Sequence, residues 1–139
     1  MAYPTTDFVH RLPVRVGYID TDRAAVVHHS VYLRWLEHGR TEFFRDRGLE
    51  YKALELDDSL GLPVVECRMK YKRPARFDDQ IVVETRIGRM SRATVRFDSE
   101  VKRGDELLVQ AEITLACVRL PEGKLRSLPE NVKRVCGRD

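Results

Sequence analysis

Side chains suited to acyl and proton chemistry crowd one short stretch, IDTDRAAVVHHSVYLRWLE, residues 19–37. Two carboxylates, Asp20 and Asp22, stand two residues apart, two imidazoles, His28 and His29, follow, and a helical pattern begins directly behind them. A carboxylate held just ahead of a helix N-terminus places a base or nucleophile beside free amide N–H groups, whose partial positive charge can hold a developing oxyanion. That pairing is the chemistry of acyl transfer. Taken in isolation, Asp20 and Asp22 read as turn formers, because Asp closes turns through its own backbone. His28 and His29 likewise read as capping or surface residues. A strand persisting to Asp20 would put both carboxylates on one face, and a loop starting there separates them.

The elements that must position this stretch are readable on either side of it. From Phe8 to Tyr18 the residues Leu12, Val14, Val16 and Tyr18 alternate with the period of a half-buried strand. Pro13 removes a ladder donor and marks an irregular or edge portion. Ser30 is the expected N-cap of a helix in which Tyr32, Trp35, Leu36, Gly39 and Phe43 form one buried stripe. Gly39 in that stripe allows a strand to approach closely. Arg45 and Arg47 suit the negative end of the helix dipole, and Gly48 is a natural C′ residue. A polar connection from about Glu55 to Gly61 leads into four strands, roughly Val64 to Tyr71, Ile81 to Arg89, Ala93 to Arg103 and Glu106 to Leu120. Gly104-Asp105 joins the last two as a hairpin. In the last strand Leu107, Val109, Ala111, Ile113, Leu115 and Cys117 take one face. One strand, one helix and a run of antiparallel strands define an α+β chain with the helix covering one sheet face. There is no internal repeat or second domain, and the tail from Pro121 reads as polar, with Leu128-Pro129 ahead of a short helical turn and no assigned chemistry.

The 139 residues fit one domain, large enough for a core and small enough to gain from a partner copy. A net charge of +3, with Lys and Arg spread along the chain, argues against nucleic acid and suits an anionic ligand. No apolar run approaches a membrane span, and MAYPTTDFVHRL lacks the apolar stretch of a signal peptide, so a soluble, cytoplasmic protein is expected. Cys67, Cys117 and Cys136 are odd in number and scattered, without metal-ligand spacing, so reduced thiols and no metal site are expected.

The stretch resembles the signature of the 4-hydroxybenzoyl-CoA thioesterase branch of the hotdog-fold superfamily, which includes thioesterases associated with the Tol-Pal system. Tyr18, Asp20, Thr21, Asp22, Val26, Val27, His29 and Tyr32 fall on its Y-x-D-T-D-x-x-G-V-V pattern and the positions that follow. Arg40-Thr41-Glu42, Gly48-Leu49, Tyr71, Pro74-Ala75-Arg76 and Asp78-Asp79 continue the match, which runs from about Phe8 to Leu120. The resemblance implies an antiparallel five-stranded sheet wrapped around one long central helix. It also implies an acyl-CoA thioesterase acting as a homodimer or homotetramer on acyl-CoA or an acyl-carrier protein. No cofactor is implied, CoA being part of the substrate.

By the same resemblance Asp22 is the catalytic carboxylate, as nucleophile or general base, and Asp20 braces the loop. The His29 N–H is the oxyanion donor and its side chain touches the acyl group, while His28 packs on the substrate. The basic turn Arg89-Met90-Ser91-Arg92 matches the family's turn that meets the nucleotide phosphates. Two positions depart from the pattern. Ala25 replaces a glycine and tolerates a positive φ poorly, so a shifted loop is expected. Arg23 replaces a small residue beside Asp22, and would favour its anion if turned inward. Glu37 is the alternative carboxylate, as in another hotdog branch, although His28-His29-Ser30 is not that branch's H-G-G; the plain reading pairs Glu37 with Arg34 or Arg40. Two other functions stay open: a hydroxyacyl-thioester dehydratase using Glu37, and a non-catalytic acyl-thioester or carrier-protein binding module.

Overall fold

The computed structural model describes residues 2–57 and 59–139. Five strands form the main sheet: β1 (His10–Arg15), β3 (Val64–Tyr71), β4 (Gln80–Met90), β5 (Thr94–Arg103) and β6 (Glu106–Ala116), in the order β1-β4-β5-β6-β3, all neighbours antiparallel. The long helix α1 (His29–Asp46) lies on the β1–β4 side of one sheet face. The expected stripe is the buried one, with Tyr32, Trp35, Leu36, Gly39 and Phe43 all against the core, joined by Arg40 and Phe44. Gly39 sits where a Cβ would come within 2.7 Å of Thr85 Oγ1 and 3.2 Å of Val83 Cγ1, so the missing side chain lets α1 settle onto β4. Gly48, at φ +91°, ends the helix.

Alternation in the strands separates two chemistries. Facing α1 are Val83, Thr85 and Ile87 of β4, Val95, Phe97 and Val101 of β5, and Val109, Ala111, Ile113 and Leu115 of β6, nearly all buried. The opposite face is a lattice of charge. Glu84 there receives Arg11, Arg86 and Lys102, and Arg96 pairs with Asp98.

Several expectations need correction. The first strand ends at Arg15, and Tyr18 opens a 3-10 turn (Tyr18–Asp20) and is 75% exposed, because the Asp20 carboxylate accepts the Gly17 N–H and curls the chain away from the sheet. The polar connection is partly a helix, α2 (Tyr51–Asp57), followed by β2 (Leu60–Gly61); Asp58 lies outside the described residues. The last strand breaks after Ala116. Beyond it β7 (Val118–Arg119) pairs with β2 and with β8 (Lys124–Leu125) in a second small sheet. A register shift opposite Val101 and Lys102 also turns Leu108, rather than Leu107, fully into the core. The tail is not merely polar: Leu128 and, on α3 (Glu130–Cys136), Val132, Val135 and Cys136 are buried.

At one edge of the sheet β3 is left bare. Val64, Val65 and Tyr71 are 48%, 59% and 42% exposed, and the strand has β6 on one side only.

Candidate active site

The Asp22 loop is a closed unit tied at its neck. Thr21 bridges Val27, the Asp22 N–H donates to Val26 O (2.9 Å), and the Ala25 N–H donates to Asp22 O (3.0 Å). Outside that neck the Val27 N–H donates to Ala75 O (2.9 Å) and the Phe77 N–H to Ala25 O (3.3 Å), fastening the loop to the segment before β4. Tyr32 completes the attachment from the first turn of α1, its hydroxyl oxygen accepting the buried Ala75 N–H at 2.9 Å. Burial raises the Tyr32 pKa, against the lowering effect of that hydrogen bond. Ala25 holds φ +62°. This is the left-handed region, unfavourable for a residue with a Cβ, so Ala25 carries the strain.

Within this loop the two carboxylates do different things. Asp20 is buried; its Oδ2 accepts the Gly17 N–H (2.9 Å), its Oδ1 accepts Arg34 Nη2 (2.6 Å), and its carbonyl accepts the His28 N–H (3.1 Å). Every polar part of Asp20 is committed to holding the turn against α1. Asp22 is exposed, and its Oδ1 accepts the Ala24 N–H at 2.8 Å and the Val26 N–H at 3.4 Å. Its Oδ2 has no partner among the described residues. One oxygen fixes the carboxylate, and Asp22 lines an open hollow with Tyr18, Ile19, Thr21, Arg23 and His28. Arg23 is exposed and forms no ion pair among the described residues, so it does not neutralise Asp22.

Helix α1 begins two residues earlier than Ser30 capping would require. His28 is the N-cap, extended at φ −64° and ψ 145°, and offers no side-chain cap. Its N–H is taken by Asp20, which fixes the chain direction before Ser30 is reached. The His29 and Ser30 N–H groups consequently have no acceptor among the described residues, as uncapped first-turn amides do not. The His29 ring stacks on Tyr71, with centroids 4.3 Å apart and planes 15° off parallel. His29, Tyr32, Tyr71 and Pro74 line a small cleft beside the helix start.

The structure does not gather every expected residue here. Glu37 is exposed, two turns along α1 from His29, and makes no ion pair among the described residues; Arg34 has gone to Asp20 instead. The basic turn is at the other end of the sheet. The Asp22 loop touches the chain at Ala75–Phe77, just before β4 starts, whereas Arg89–Arg92 lie at its far end, where Met90 bridges Tyr3. At that end Arg92 Nη1 donates to Ser127 Oγ (2.7 Å), the Ser91 hydroxyl is spent on Thr94 (2.6 Å), and Arg89 is exposed. Sequence reasoning missed Arg34 as the partner of Asp20, and Arg103, which donates to Asp79 Oδ2 (2.6 Å) and so steadies the Arg76–Asp79 turn below the loop. Spacing alone signals neither, because both pairs join distant elements.

An α+β chain with one long helix on an antiparallel sheet, and a carboxylate loop leading into that helix, has the hotdog-type thioesterase architecture, and comparison with known proteins agrees. Residues 14–135 match the thioesterase-like superfamily. The chain is 35% identical over 121 residues to acyl-CoA thioesterase YbgC of Haemophilus influenzae, covering 87% of this chain and 89% of that protein. The crystal structure of the "Probable Thioesterase" of Bartonella henselae is similar at TM-score 0.83 and 34% identity, over 88% of this chain and all (100%) of that one. The 1,4-dihydroxy-2-naphthoyl-CoA thioesterase Slr0204 of Synechocystis shares the fold at TM-score 0.85 and 23% identity, over 92% and 95% of the two chains. The chain belongs to the thioesterase-like superfamily, in the branch its sequence resembles, and is an enzyme of the thioester-hydrolase class.

Proposed function

We propose that this protein hydrolyses acyl-CoA thioesters, with Asp22 as the catalytic carboxylate and the first amides of α1 as the oxyanion site. The observation that carries the reading is the division of labour in the loop: Asp20 is fully occupied in bracing it, while Asp22 keeps one carboxylate oxygen free ahead of unpaired helix amides. A thioester carbonyl set against the His29 N–H places its carbon within reach of Asp22 or of a water that Asp22 deprotonates. One such donor lowers the barrier by about 2.7–4 kcal/mol. CoA departs as a thiolate, which needs no strong general acid. The ring of His29, fixed on Tyr71, and His28 on the rim of the hollow contact the acyl group.

The working unit in this reading is a homodimer paired through β3. An eight-residue edge strand with exposed Val64, Val65 and Tyr71 is a template for a second copy. Pairing would also cover the flank of α1 that the single sheet leaves open. It also answers the position of the basic turn. The eleven residues of β4 span roughly 33 Å, too far for one CoA to bridge within a single copy. Antiparallel pairing of two β3 edges reverses one copy against the other, bringing the Arg89–Arg92 end of the partner toward Asp22. The dehydratase alternative lacks support, since Glu37 stands eight residues from His29, roughly 12 Å along the helix.

The test is thiol release from CoA esters and from matching pantetheine esters by wild type and Arg92→Ala. The reading predicts release from both by wild type, with KM raised by the substitution for the CoA esters alone. Equal effects on both ester types would remove Arg92 from the nucleotide site, and no release by wild type would overturn the activity.

A further inference from the structure

Three large apolar side chains project from the end of the molecule that carries the Asp22 loop. Tyr18 is 75%, Ile19 91% and Phe77 51% exposed. The Tyr18 and Phe77 rings meet edge to face, 5.5 Å between centroids, and Ile19 follows Tyr18 in the same 3-10 turn. At about 200 Å² for a large side chain, these exposures leave on the order of 400 Å² of apolar surface in one place. Single exposed apolar residues are ordinary, whereas a contiguous knob marks a contact surface.

The knob is firmly held. Val16 exchanges two backbone hydrogen bonds of 2.9 Å with Asp78 and Asp79, which set the Tyr18 and Phe77 segments side by side. Asp20 clamps the turn through Gly17 and Arg34, and Arg103 steadies Asp79. These side chains stand on backbone that is ordered before any contact is made, which lowers the entropy cost of binding.

The charge around the knob is biased toward positive. Asp20, Asp78 and Asp79 each have an arginine partner, namely Arg34, Arg15 and Arg103. Arg23, which lines the hollow with Tyr18 and Ile19, and Arg76, which precedes Phe77, are exposed and form no ion pair among the described residues. Against these two guanidiniums stands the Asp22 carboxylate alone.

Size and place decide what meets this surface. The apolar area is about half of the ~800 Å² that one partner gives to a standard protein interface. The knob lies beyond the end of β1, at the sheet edge opposite β3 and roughly 19 Å from it across four strand spacings, so copies paired through β3 leave it uncovered. Projecting aromatic and aliphatic side chains beside free arginines match a lipid headgroup layer, in which the apolar groups enter the acyl boundary and the guanidiniums meet phosphates.

We propose that the Tyr18–Ile19–Phe77 knob is a contact surface for an anionic lipid bilayer, with Arg23 and Arg76 on the lipid phosphates. The hollow that Asp22 lines opens on the same surface. The contact does not require the thioester reading to be correct.

The experiment is cosedimentation of the full chain with phosphatidylcholine vesicles, with and without phosphatidylglycerol as about one lipid in three. Wild type binds the anionic vesicles, less as salt is raised, and binds the neutral ones roughly 10- to 30-fold more weakly. Ile19→Asp, at a site exposed enough to spare the fold, weakens binding to anionic vesicles roughly 10-fold or more. The double variant Arg23→Gln with Arg76→Gln weakens it by a similar factor and leaves binding to neutral vesicles unchanged. Arg119→Gln with Lys124→Gln removes the same charge from the exposed β7–β8 pair, at the other end of the sheet, and leaves binding to both unchanged. No binding of anionic vesicles by wild type, undiminished binding by Ile19→Asp, or an equal loss in the β7–β8 variant overturns the proposal. Altered self-association of Ile19→Asp, with no vesicle bound by wild type, gives the knob to a second copy and overturns it as well.

Discussion

Replacing Ala25 by glycine is expected to stabilise this protein, an unusual direction for a mutation that removes a side chain. Ala25 holds φ +62°, where its Cβ crowds the following carbonyl at a cost of about 1–2 kcal/mol. It is kept there by three contacts: its own N–H to Asp22 O, its carbonyl to the Phe77 N–H, and the Val26 carbonyl to the Asp22 N–H. Glycine relieves the crowding and retains all three, because they are backbone bonds. Against this stands the greater freedom of glycine in the unfolded chain, about 0.4–1 kcal/mol. The difference is a net stabilisation of about 0.5–1 kcal/mol, or a Tm rise of roughly 2–4 °C for a domain of this size. The neighbouring Ala24 has no positive φ, so Ala24→Gly carries only the unfolded-state cost and lowers Tm. Scanning calorimetry of the two variants side by side compares the signs directly. If Ala25→Gly lowers Tm as Ala24→Gly does, the left-handed corner at the base of the site is wrong.

Two further perturbations probe the frame around the loop. Tyr32→Phe strips the buried Ala75 N–H of its acceptor, and chemical denaturation should show a loss of about 1–3 kcal/mol; equal stability would mean that Tyr32 does not anchor the loop. On the charged sheet face, desolvation of Glu84 is outweighed by hydrogen bonds from Lys102 and Arg11, so its pKa lies below the ordinary 4.5. A depressed carboxylate stabilises the fold above its unfolded pKa and loses that contribution as pH falls through the folded value. Glu84→Gln should accordingly be less stable than wild type at pH 7, with the gap closing as pH drops below about 4.5; a gap that persists unchanged at pH 2 would contradict this assignment.

Much of this architecture is legible in the chain because its signals are local. The α1 stripe repeats at helical spacing, β3 falls on Val64–Tyr71 as read, and the close approach at Gly39 follows from a glycine standing among large apolar residues. What escaped depends on partners far away in sequence. Alternation carried Tyr18 onto the first strand, but a hydrogen bond from Gly17 to Asp20 decides the turn. The shift that buries Leu108 is set by the register with β5, and the break after Ala116 by pairing with β2. Helix α2 was hidden by its polar residues and its shortness, and among the described side chains its fully buried anchor is Leu54. In the candidate site, the motif singles out Asp22 for the proposed role, while the Asp20–Arg34 tie, the stacking of His29 on Tyr71 and the remoteness of Arg92 emerge only once the chain is folded.

The central claim is that Asp22 does the chemistry, and the direct measurement is thiol release from a panel of aliphatic and aromatic acyl-CoAs by wild type and Asp22→Asn. Asparagine keeps the Oδ1 acceptor for the Ala24 N–H, so the loop is retained while the free anionic oxygen is lost. The account predicts that kcat falls by roughly 10²- to 10⁴-fold with CoA affinity little changed. Turnover by Asp22→Asn within a few-fold of wild type would contradict it and move the chemistry to another carboxylate, Glu37 first among them.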